Sequence, residues 1–249
     1  MSKERHAGEG ATLFVVATPI GNLEDVTYRA VRVLSEVGAL ACEDTRITRR
    51  LLERYAIARP EHMFACHEHN ESRAAQRIAG LLAQGVDVAL VSDAGQPGVS
   101  DPGYRSIQAA LDGGHRVEVL PGPSAVTTAL IASGLSAASY TFLGFPPRKS
   151  GQRRNFLARE AEAPHSLVLF ESPHRIGKLL ADALAALGDR RAAVCLELTK
   201  RFERVHRGWL ADLARDFDGK QEKGEITVVI AGNNPKFLRA DGSAEMEEP

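Results

Sequence analysis

Glycines, prolines and carboxylates cluster in four segments of the first half of the chain, each directly after a short apolar run. The longest is residues 92–103, with the sequence SDAGQPGVSDPG, and the others are residues 19–25, 42–46 and 121–125. A simple strand-to-helix turn needs only about two to six residues. The extra backbone of residues 92–103 therefore favours contact with a ligand rather than a bare connection.

Each segment also has a purely structural interpretation. Asp101 followed by Pro102 is typical of a helix N-cap with proline at the first helical position. Asp25, Asp44 and Ser124 could cap helices in the same way. The arginines between residues 46 and 54 could equally form a solvated helix face, so neither interpretation is excluded by the residue types alone.

Several chemistries lack their sequence signatures. Residues 92–103 contain neither the glycine pattern of a dinucleotide-binding turn nor that of a phosphate-binding P-loop. No HExxH motif or His/Cys cluster predicts a metal site. The three cysteines, Cys42, Cys66 and Cys195, lie far apart without CxxC spacing. We therefore expect reduced thiols, as in cytoplasmic proteins.

The second half contains a basic segment interleaved with aromatic residues. Cations and rings that suit a phosphate backbone and a stacked base occur together in residues 145–159. The alternative is an exposed helix start without a ligand. The members of this segment are Phe145, Arg148, Lys149, Arg153, Arg154, Phe156 and Arg159.

Composition is that of an ordinary globular protein, with 249 residues, 44% apolar and 25% charged. The net charge of −1 excludes a generally basic nucleic-acid binder but leaves room for a local basic patch. The apolar run at residues 13–17 is too short for a signal peptide, and no run is long enough to span a membrane. We expect a cytoplasmic protein.

Short β-branched runs alternate with helical periodicity, which predicts α/β architecture with parallel strands joined by helices. We expect domains at residues 11–134 and 138–232, followed by an acidic, disordered tail at 233–249. Predicted strands lie at residues 12–18, 39–42, 63–66, 86–91, 116–120, 141–143, 166–170, 192–196, 204–208 and 226–230. Predicted helices begin near residue 25, cover 45–55, 72–84, 104–111 and 174–187, and include one that ends near 133.

Seven segments, taken in order, resemble the ribosomal RNA small-subunit methyltransferase I family of the tetrapyrrole methylase superfamily. They are ATPIGNLED at 17–25, CEDTR at 42–46, SDAG at 92–95, SDPGY at 100–104, PGPSA at 121–125, FESPHR at 170–175 and ELTK at 197–200. The chain departs from the family's pattern at Gln96 and at Gly98-Val99.

The resemblance implies a two-domain tetrapyrrole-methylase-like fold with parallel and mixed sheets, and S-adenosylmethionine bound in an interdomain cleft. It implies a homodimer that methylates the ribose 2′-hydroxyl of a cytidine in the decoding region of 16S ribosomal RNA. The superfamily also contains tetrapyrrole methylases, so fold alone does not fix the substrate. The alternatives are a methyltransferase acting on a tetrapyrrole and a non-catalytic RNA-binding module.

Site residues follow from the same resemblance. Lys200, His174 and Glu203 are candidates for the base that takes the hydroxyl proton. Lys200 would need a pKa lowered by burial or by Arg201, and it could instead contact a phosphate. Expected cofactor contacts are Pro19, Gly21, Asp93, Ala94, Gly95, Gln96, Val99, Ser100, Asp101, Pro121, Gly122, Ser124, Ala125, Phe170, Glu171, Gly224 and Glu225. Expected RNA contacts are Arg46, Arg49, Arg148, Lys149, Arg153, Arg154 and Arg175.

Overall fold

The computed structural model describes residues 10–239, in two compact units, one ending at Ser124 and one beginning at Ala125. The first unit has five parallel strands in the order β3-β2-β4-β1-β5. The strands are β1 (Thr12–Val16), β2 (Ala39–Cys42), β3 (His62–Ala65), β4 (Val88–Val91) and β5 (Arg116–Leu120). The helices are α1 (Tyr28–Glu36), α2 (Thr45–Arg54), α3 (Glu71–Ala83) and α4 (Tyr104–Asp112), with a 3-10 turn at Leu23–Asp25.

Both faces of this sheet are covered by helices, because successive residues of a strand point to opposite faces. Leu40 packs with residues of α1 and α2 on one face. Ala41, the next residue, packs with residues of α3 and α4 on the other. The strands are therefore apolar on both sides, which explains why they read as short continuous apolar runs.

Two capping expectations are wrong. Asp25 ends the 3-10 turn, and the Thr27 hydroxyl instead accepts from the Ala30 N–H to cap α1. Gly103, not Asp101, is the N-cap residue of α4. The carboxylate Oε1 of Glu71 accepts from the N–H groups of Gly103 and Arg105 at 2.9 and 3.1 Å, so a residue distant in sequence performs the capping.

The second unit has a mixed sheet in the order β6-β7-β10-β8-β9, in which only β6 and β7 are parallel neighbours. Its helices are α5 (Ala125–Ser133), α6 (Ser150–Ala158), α7 (Ile176–Leu187) and α8 (Leu210–Phe217). Its strands are β6 (Tyr140–Gly144), β7 (Ser166–Glu171), β8 (Arg191–Leu196), β9 (Arg204–Trp209) and β10 (Ile226–Ile230), followed by a 3-10 turn at Pro235–Phe237.

Helices α6, α7 and α8 share one apolar core with the sheet, through residues such as Leu157, Leu179 and Leu213. On β8, Val194 and Leu196 belong to that core, whereas the thiol of Cys195 lies 4.0 Å from the Ala129 carbonyl oxygen of α5. Helix α5 therefore covers the opposite face.

Two predicted boundaries differ from the structure. The chain divides after Ser124 rather than near residue 134, because α5 packs on β8 and β10 of the second unit. Residues 233–239 of the predicted disordered tail contain a 3-10 turn, and the guanidinium of Arg239 lies 3.2 Å from a carboxylate oxygen of Asp189. Residues 240–249 lie outside the described part. Within residues 10–239, no helix is both long and apolar enough to cross a membrane.

Candidate functional site

The carboxyl ends of all five strands of the first unit lie at one edge of its sheet, because the strands are parallel. The four segments singled out in the sequence follow β1, β2, β4 and β5 at this edge. The connections after β1 and β4, which are neighbours, lead to α1 and α4 on opposite faces. Ligands of open α/β sheets bind where neighbouring connections diverge in this way.

A backbone bridge joins the segments that follow β1 and β4. Thr18 and Gly95 exchange two N–H···O bonds of 2.9 and 3.0 Å. The hydroxyl of Thr18 donates to the Ser92 carbonyl oxygen at 3.0 Å, and the side chain is buried. Thr18 and Ser92 were not among the predicted site residues. Together they hold the start of the 92–103 segment in place.

Gly122 is required by a close backbone approach. A Cβ placed there would lie 2.8 Å from the Cβ of Ala17, well inside van der Waals contact. The segment after β5 therefore lies directly against the end of β1. A larger residue would push residues 121–125 away from this edge.

Three carboxylates meet at the same edge. The Asp93 carboxylate accepts from the Asp44 N–H at 2.9 Å, and the Glu43 carboxylate lies 3.3 Å from the Asp93 amide nitrogen that donates to it. Burial raises the pKa of Asp93, and the negative charges of Glu43 and Asp44 raise it further. Hydrogen bonds from the side chain and backbone N–H of Arg46 hold the pKa of Asp44 at about 2. The edge thus gathers three carboxylates and one guanidinium, that of Arg46, which pairs with Asp44 at 2.6 Å.

Gln96 presents an unsatisfied donor in the long segment. Its amide Nε2 is buried and has no hydrogen-bond partner among the described residues. Further along, Ser100 adopts a positive φ of 62°, and Glu71 fixes the segment's end at Gly103. An orphaned buried donor in an anchored loop fits a bound ligand that supplies an acceptor.

The second unit also gathers polar residues at one sheet edge. The ends of β7 and β8 and the start of β10 lie there, so Glu171, Glu197 and Glu225 are placed along one row. The Glu197 carboxylate accepts from the Glu225 N–H at 2.8 Å. Gly224 has a φ of 86°, and a Cβ there would overlap the Glu197 carboxylate. This glycine is therefore required by the turn.

Lys200 lacks the lowered pKa that it would need to act as the base. Its Nζ lies 2.9 Å from Glu197 and 3.0 Å from Glu225. Burial by itself would lower the pKa of Lys200, but the hydrogen bonds and charges of the two carboxylates outweigh burial, so the pKa is raised. Lys200 is thus a protonated link between two turns and is unsuited to accept a proton near neutral pH.

The other two base candidates differ in their surroundings. The Glu203 carboxylate accepts from the Thr199 N–H at 2.6 Å, which closes the turn after β8. His174 is exposed in the turn before α7. Neighbouring Arg175 lies 2.5 Å from Glu171 Oε1, and Glu171 is fully buried with no partner for Oε2 among the described residues.

Arg153 is wrongly predicted as an RNA contact. Its side chain is 2% exposed and pairs with Asp182 at 2.5 Å. The guanidinium also donates to the carbonyl oxygens of Pro147 and Arg148. It is a structural arginine on the core side of α6. Arg148, Lys149 and Arg154 are exposed, as are Arg46 and Arg49 of the first unit.

The structure thus divides the predicted cofactor contacts between two sheet edges, each within its own unit. Phe170, Glu171, Gly224 and Glu225 lie at the edge of the second sheet. Glu43 and Glu71 lie at the sheet edge of the first unit but were not predicted as site residues. The predicted residues that follow strands of the first unit are Pro19, Gly21, Asp93, Ala94, Gly95, Gln96, Val99, Ser100, Asp101, Pro121, Gly122 and Ser124.

Known proteins resemble the chain over most of its length. The model of the tetrapyrrole (corrin/porphyrin) methylases matches residues 12–214. A ribosomal RNA small subunit methyltransferase I from Halalkalibacterium halodurans is 44% identical, covering 90% of this chain and 77% of that protein. The protein of the same name from Mesorhizobium japonicum is 46% identical, covering 94% and 79% respectively.

Solved structures share the fold at lower identity. The methyltransferase CobJ has a TM-score of 0.67 at 17% identity, covering 90% of this chain and 95% of its own. Uroporphyrin-III C-methyltransferase from Thermus thermophilus, complexed with S-adenyl homocysteine, has a TM-score of 0.61 at 22% identity, covering 88% and 97%. The expected fold class is confirmed. The family match and the close relatives together show that the chain belongs to the tetrapyrrole (corrin/porphyrin) methylase family.

Proposed function

We propose that the chain transfers a methyl group from S-adenosylmethionine to small-subunit ribosomal RNA. The observation that carries the proposal is the 42–46% identity, over about nine tenths of the chain, to proteins named ribosomal RNA small subunit methyltransferase I. The tetrapyrrole enzymes among the structural relatives are only 16–22% identical. Identity therefore favours the RNA substrate over a tetrapyrrole.

The edge of the first unit suits this cofactor. S-adenosylmethionine, when bound, supplies a methyl group on a positively charged sulfonium. The carboxylates of Glu43 and Asp93 favour a cation at this edge, whereas Asp44 is already paired with Arg46. The buried Nε2 of Gln96 offers a donor, and Gly122 lets the segment after β5 lie directly against Ala17 at the end of β1. In the second unit, we assign further contacts to Phe170, Glu171 and the Gly224–Glu225 turn.

We propose as acceptor the ribose 2′-hydroxyl of a cytidine in the decoding region of 16S ribosomal RNA. In this reaction an O–C bond forms as the S–C bond breaks, so alignment of the acceptor oxygen supplies much of the rate. The hydroxyl proton leaves to a base or to solvent. Lys200 is protonated, so its part is to hold Glu197 and Glu225 in place. His174 and Glu203 remain the candidate bases on the second unit.

The proposed substrate also bears on where the chain acts and on which residues contact the RNA. We propose that the chain acts in the cytoplasm, where small ribosomal subunits are assembled, and that it acts as a homodimer. Exposed Arg46, Arg49, Arg148, Lys149 and Arg154 would contact phosphates. Such contacts release counterions, so RNA binding should weaken as salt concentration rises.

A methyl-transfer assay tests the proposal. Purified chain is incubated with methyl-labelled S-adenosylmethionine and with small ribosomal subunits, naked 16S ribosomal RNA or uroporphyrinogen III. Label in RNA, mapped by nuclease digestion and mass spectrometry to a 2′-O-methylcytidine, is the expected result. Label only in the tetrapyrrole would support the alternative substrate. Cofactor binding without transfer to any RNA would refute the proposed acceptor.

A further inference from the structure

The groove between α6 and α7 in the second unit has features that neither the fold nor the proposed cofactor contacts use. Helices α6 and α7 pack through buried Leu157, Leu179 and Leu180 beneath the groove. The open groove has a cavity volume of about 460 Å³. Its lining residues are Gly151, Arg154, Asn155, Ala158, Ala185 and Ala186.

The groove walls consist mostly of residues with small side chains. Residues 151, 154, 155 and 158 recur at helical spacing along one face of α6, and two of the four are glycine or alanine. The facing residues of α7 are alanines. Exposed helix faces usually present long charged side chains. Here an extended polymer can approach the helix surfaces closely, and Asn155 offers an amide to its polar groups.

Positive charge predominates around the groove. Residues 145–159 contain five arginines and lysines and no carboxylate, in a chain of net charge −1. Arg153 is neutralised by Asp182, which leaves Arg148, Lys149, Arg154 and Arg159 exposed.

Nearby carboxylates do not cancel this field. The only carboxylate of α7 is the buried Asp182, whose oxygens already receive bonds from Arg153 and Ser150. Arg154 lies 3.8 Å from Asp182 Oδ1 and keeps a side chain that is 55% exposed. Glu160 follows the segment. A smooth groove with an unbalanced positive rim fits a polyanion better than an ordinary protein surface.

We infer that the α6–α7 groove binds the phosphodiester backbone of the substrate RNA, with Arg154 contacting a phosphate and the small residues admitting the sugar-phosphate chain. The inference rests on the proposed function, because the polyanion available to such an enzyme is its ribosomal RNA. The rigid base of the groove comes from the buried Arg153–Asp182 pair. Arg153 therefore serves RNA binding only by supporting the helix that carries Arg154.

Two paired substitutions test the groove, one electrostatic and one steric. Arg154→Ala removes a groove cation, and Arg215→Ala removes an exposed cation of the same unit on α8 that also lies near a carboxylate. Ala185→Phe fills the groove, whereas Ala181→Phe adds the same bulk at an exposed position outside its lining. Fluorescence of the single tryptophan, Trp209, checks that each variant folds.

Binding of a 16S ribosomal RNA transcript is measured over a salt series. Arg154→Ala should reduce the slope of log affinity against log salt by about 0.7 to 0.9, the value for one lost phosphate contact. Ala185→Phe should weaken binding by about tenfold, because the ring occupies the backbone's place. Arg215→Ala and Ala181→Phe should bind as the parent does.

The outcomes separate this inference from the proposed function. If the groove variants match their controls while the parent still methylates small subunits, the groove inference is overturned and the function stands. If the variants lose transcript binding but the parent methylates no RNA, the groove stands and the function fails. If Ala185→Phe weakens binding to assembled subunits but not to the transcript, the occupant is a ribosomal protein and the inference is overturned.

Discussion

Replacing Asp182 by alanine should destabilise the second unit by about 3 to 5 kcal/mol, because the buried Arg153 guanidinium would lose its counterion. The two side chains are 11% and 2% exposed, and Arg153 Nε and Nη2 lie 2.8 and 2.5 Å from Asp182 Oδ2. Ser150 would lose its acceptor as well. With an m-value of about 2 kcal/mol per M urea, the midpoint should fall by about 2 M.

The pair's geometry also predicts strong non-additivity. Arg153→Met alone leaves Asp182 buried without its cation. It should lower the free energy of unfolding by about as much as Asp182→Ala does. The double variant Arg153→Met/Asp182→Leu leaves no buried charge, so it should lie within about 1 to 2 kcal/mol of the parent. Urea titrations followed by fluorescence of Trp209, which lies in the second unit, measure all three. Arg215→Ala, which removes an exposed arginine, is the control for charge loss.

Two results would refute this reasoning. If Asp182→Ala lowered the free energy of unfolding by less than about 1 kcal/mol, the Arg153–Asp182 pair would be effectively solvated. A double variant as unstable as the sum of the two single variants would mean that volume, not charge pairing, holds α6 to α7. The salt slope of RNA binding adds a check, since folded Arg153→Met should retain the parent slope.

Three further predictions concern the two sheet edges and the core. Gly122→Val should weaken S-adenosylmethionine binding in calorimetry by at least about tenfold through steric displacement, whereas Gly80→Ala, on an open face of α3, should not. Burial raises the pKa of the Cys42 and Cys195 thiols to about 11, so both should react with a disulfide reagent at pH 8 only in urea; rapid native labelling would contradict this. Because the pKa of Lys200 is raised, Lys200→Met should keep the shape of the pH–rate profile between about pH 6 and 9, and a lost inflection would restore Lys200 as the base.

Much of the first unit could be predicted from sequence because its strands and helices are indicated by patterns among residues that are close in the chain. Its strands are short apolar runs and its helices have apolar residues at 3.6-residue spacing, so β2 (Ala39–Cys42) and β5 (Arg116–Leu120) have the predicted bounds. Parallel connections then place the glycine-rich segments at one edge. The second unit was harder, because strand order and the antiparallel pairings of β10 arise from contacts between distant residues. Helix α8 was not predicted, although Leu210, Leu213 and Phe217 recur at helical spacing and could have indicated it.

The errors in the predicted site involve charged residues, whose type gives their charge but not their burial. Arg153 lies four residues before buried Leu157 on α6, and this spacing was the signal that it faces the core. Lys200 could act as the base only if burial or neighbouring Arg201 lowered its pKa. Its two carboxylate neighbours come from separate strand ends, so their combined effect required the three-dimensional arrangement.

A net charge of −1 conceals two opposite local fields, and the proposed chemistry needs both. At the edge of the first unit, the carboxylates of Glu43 and Asp93 lie beside the Asp44–Arg46 ion pair, and their negative charge favours a sulfonium. On the second unit, the exposed cations Arg148, Lys149, Arg154 and Arg159 outnumber the one carboxylate of α7, the buried Asp182, which favours a polyanion. Screening over about 10 Å at ordinary salt keeps such fields local. Raising the salt should therefore weaken RNA binding much more than cofactor binding, since the RNA contacts are exposed and the carboxylate edge is partly buried. Equal sensitivity of the two would mean that the cofactor is also held mainly by exposed charges.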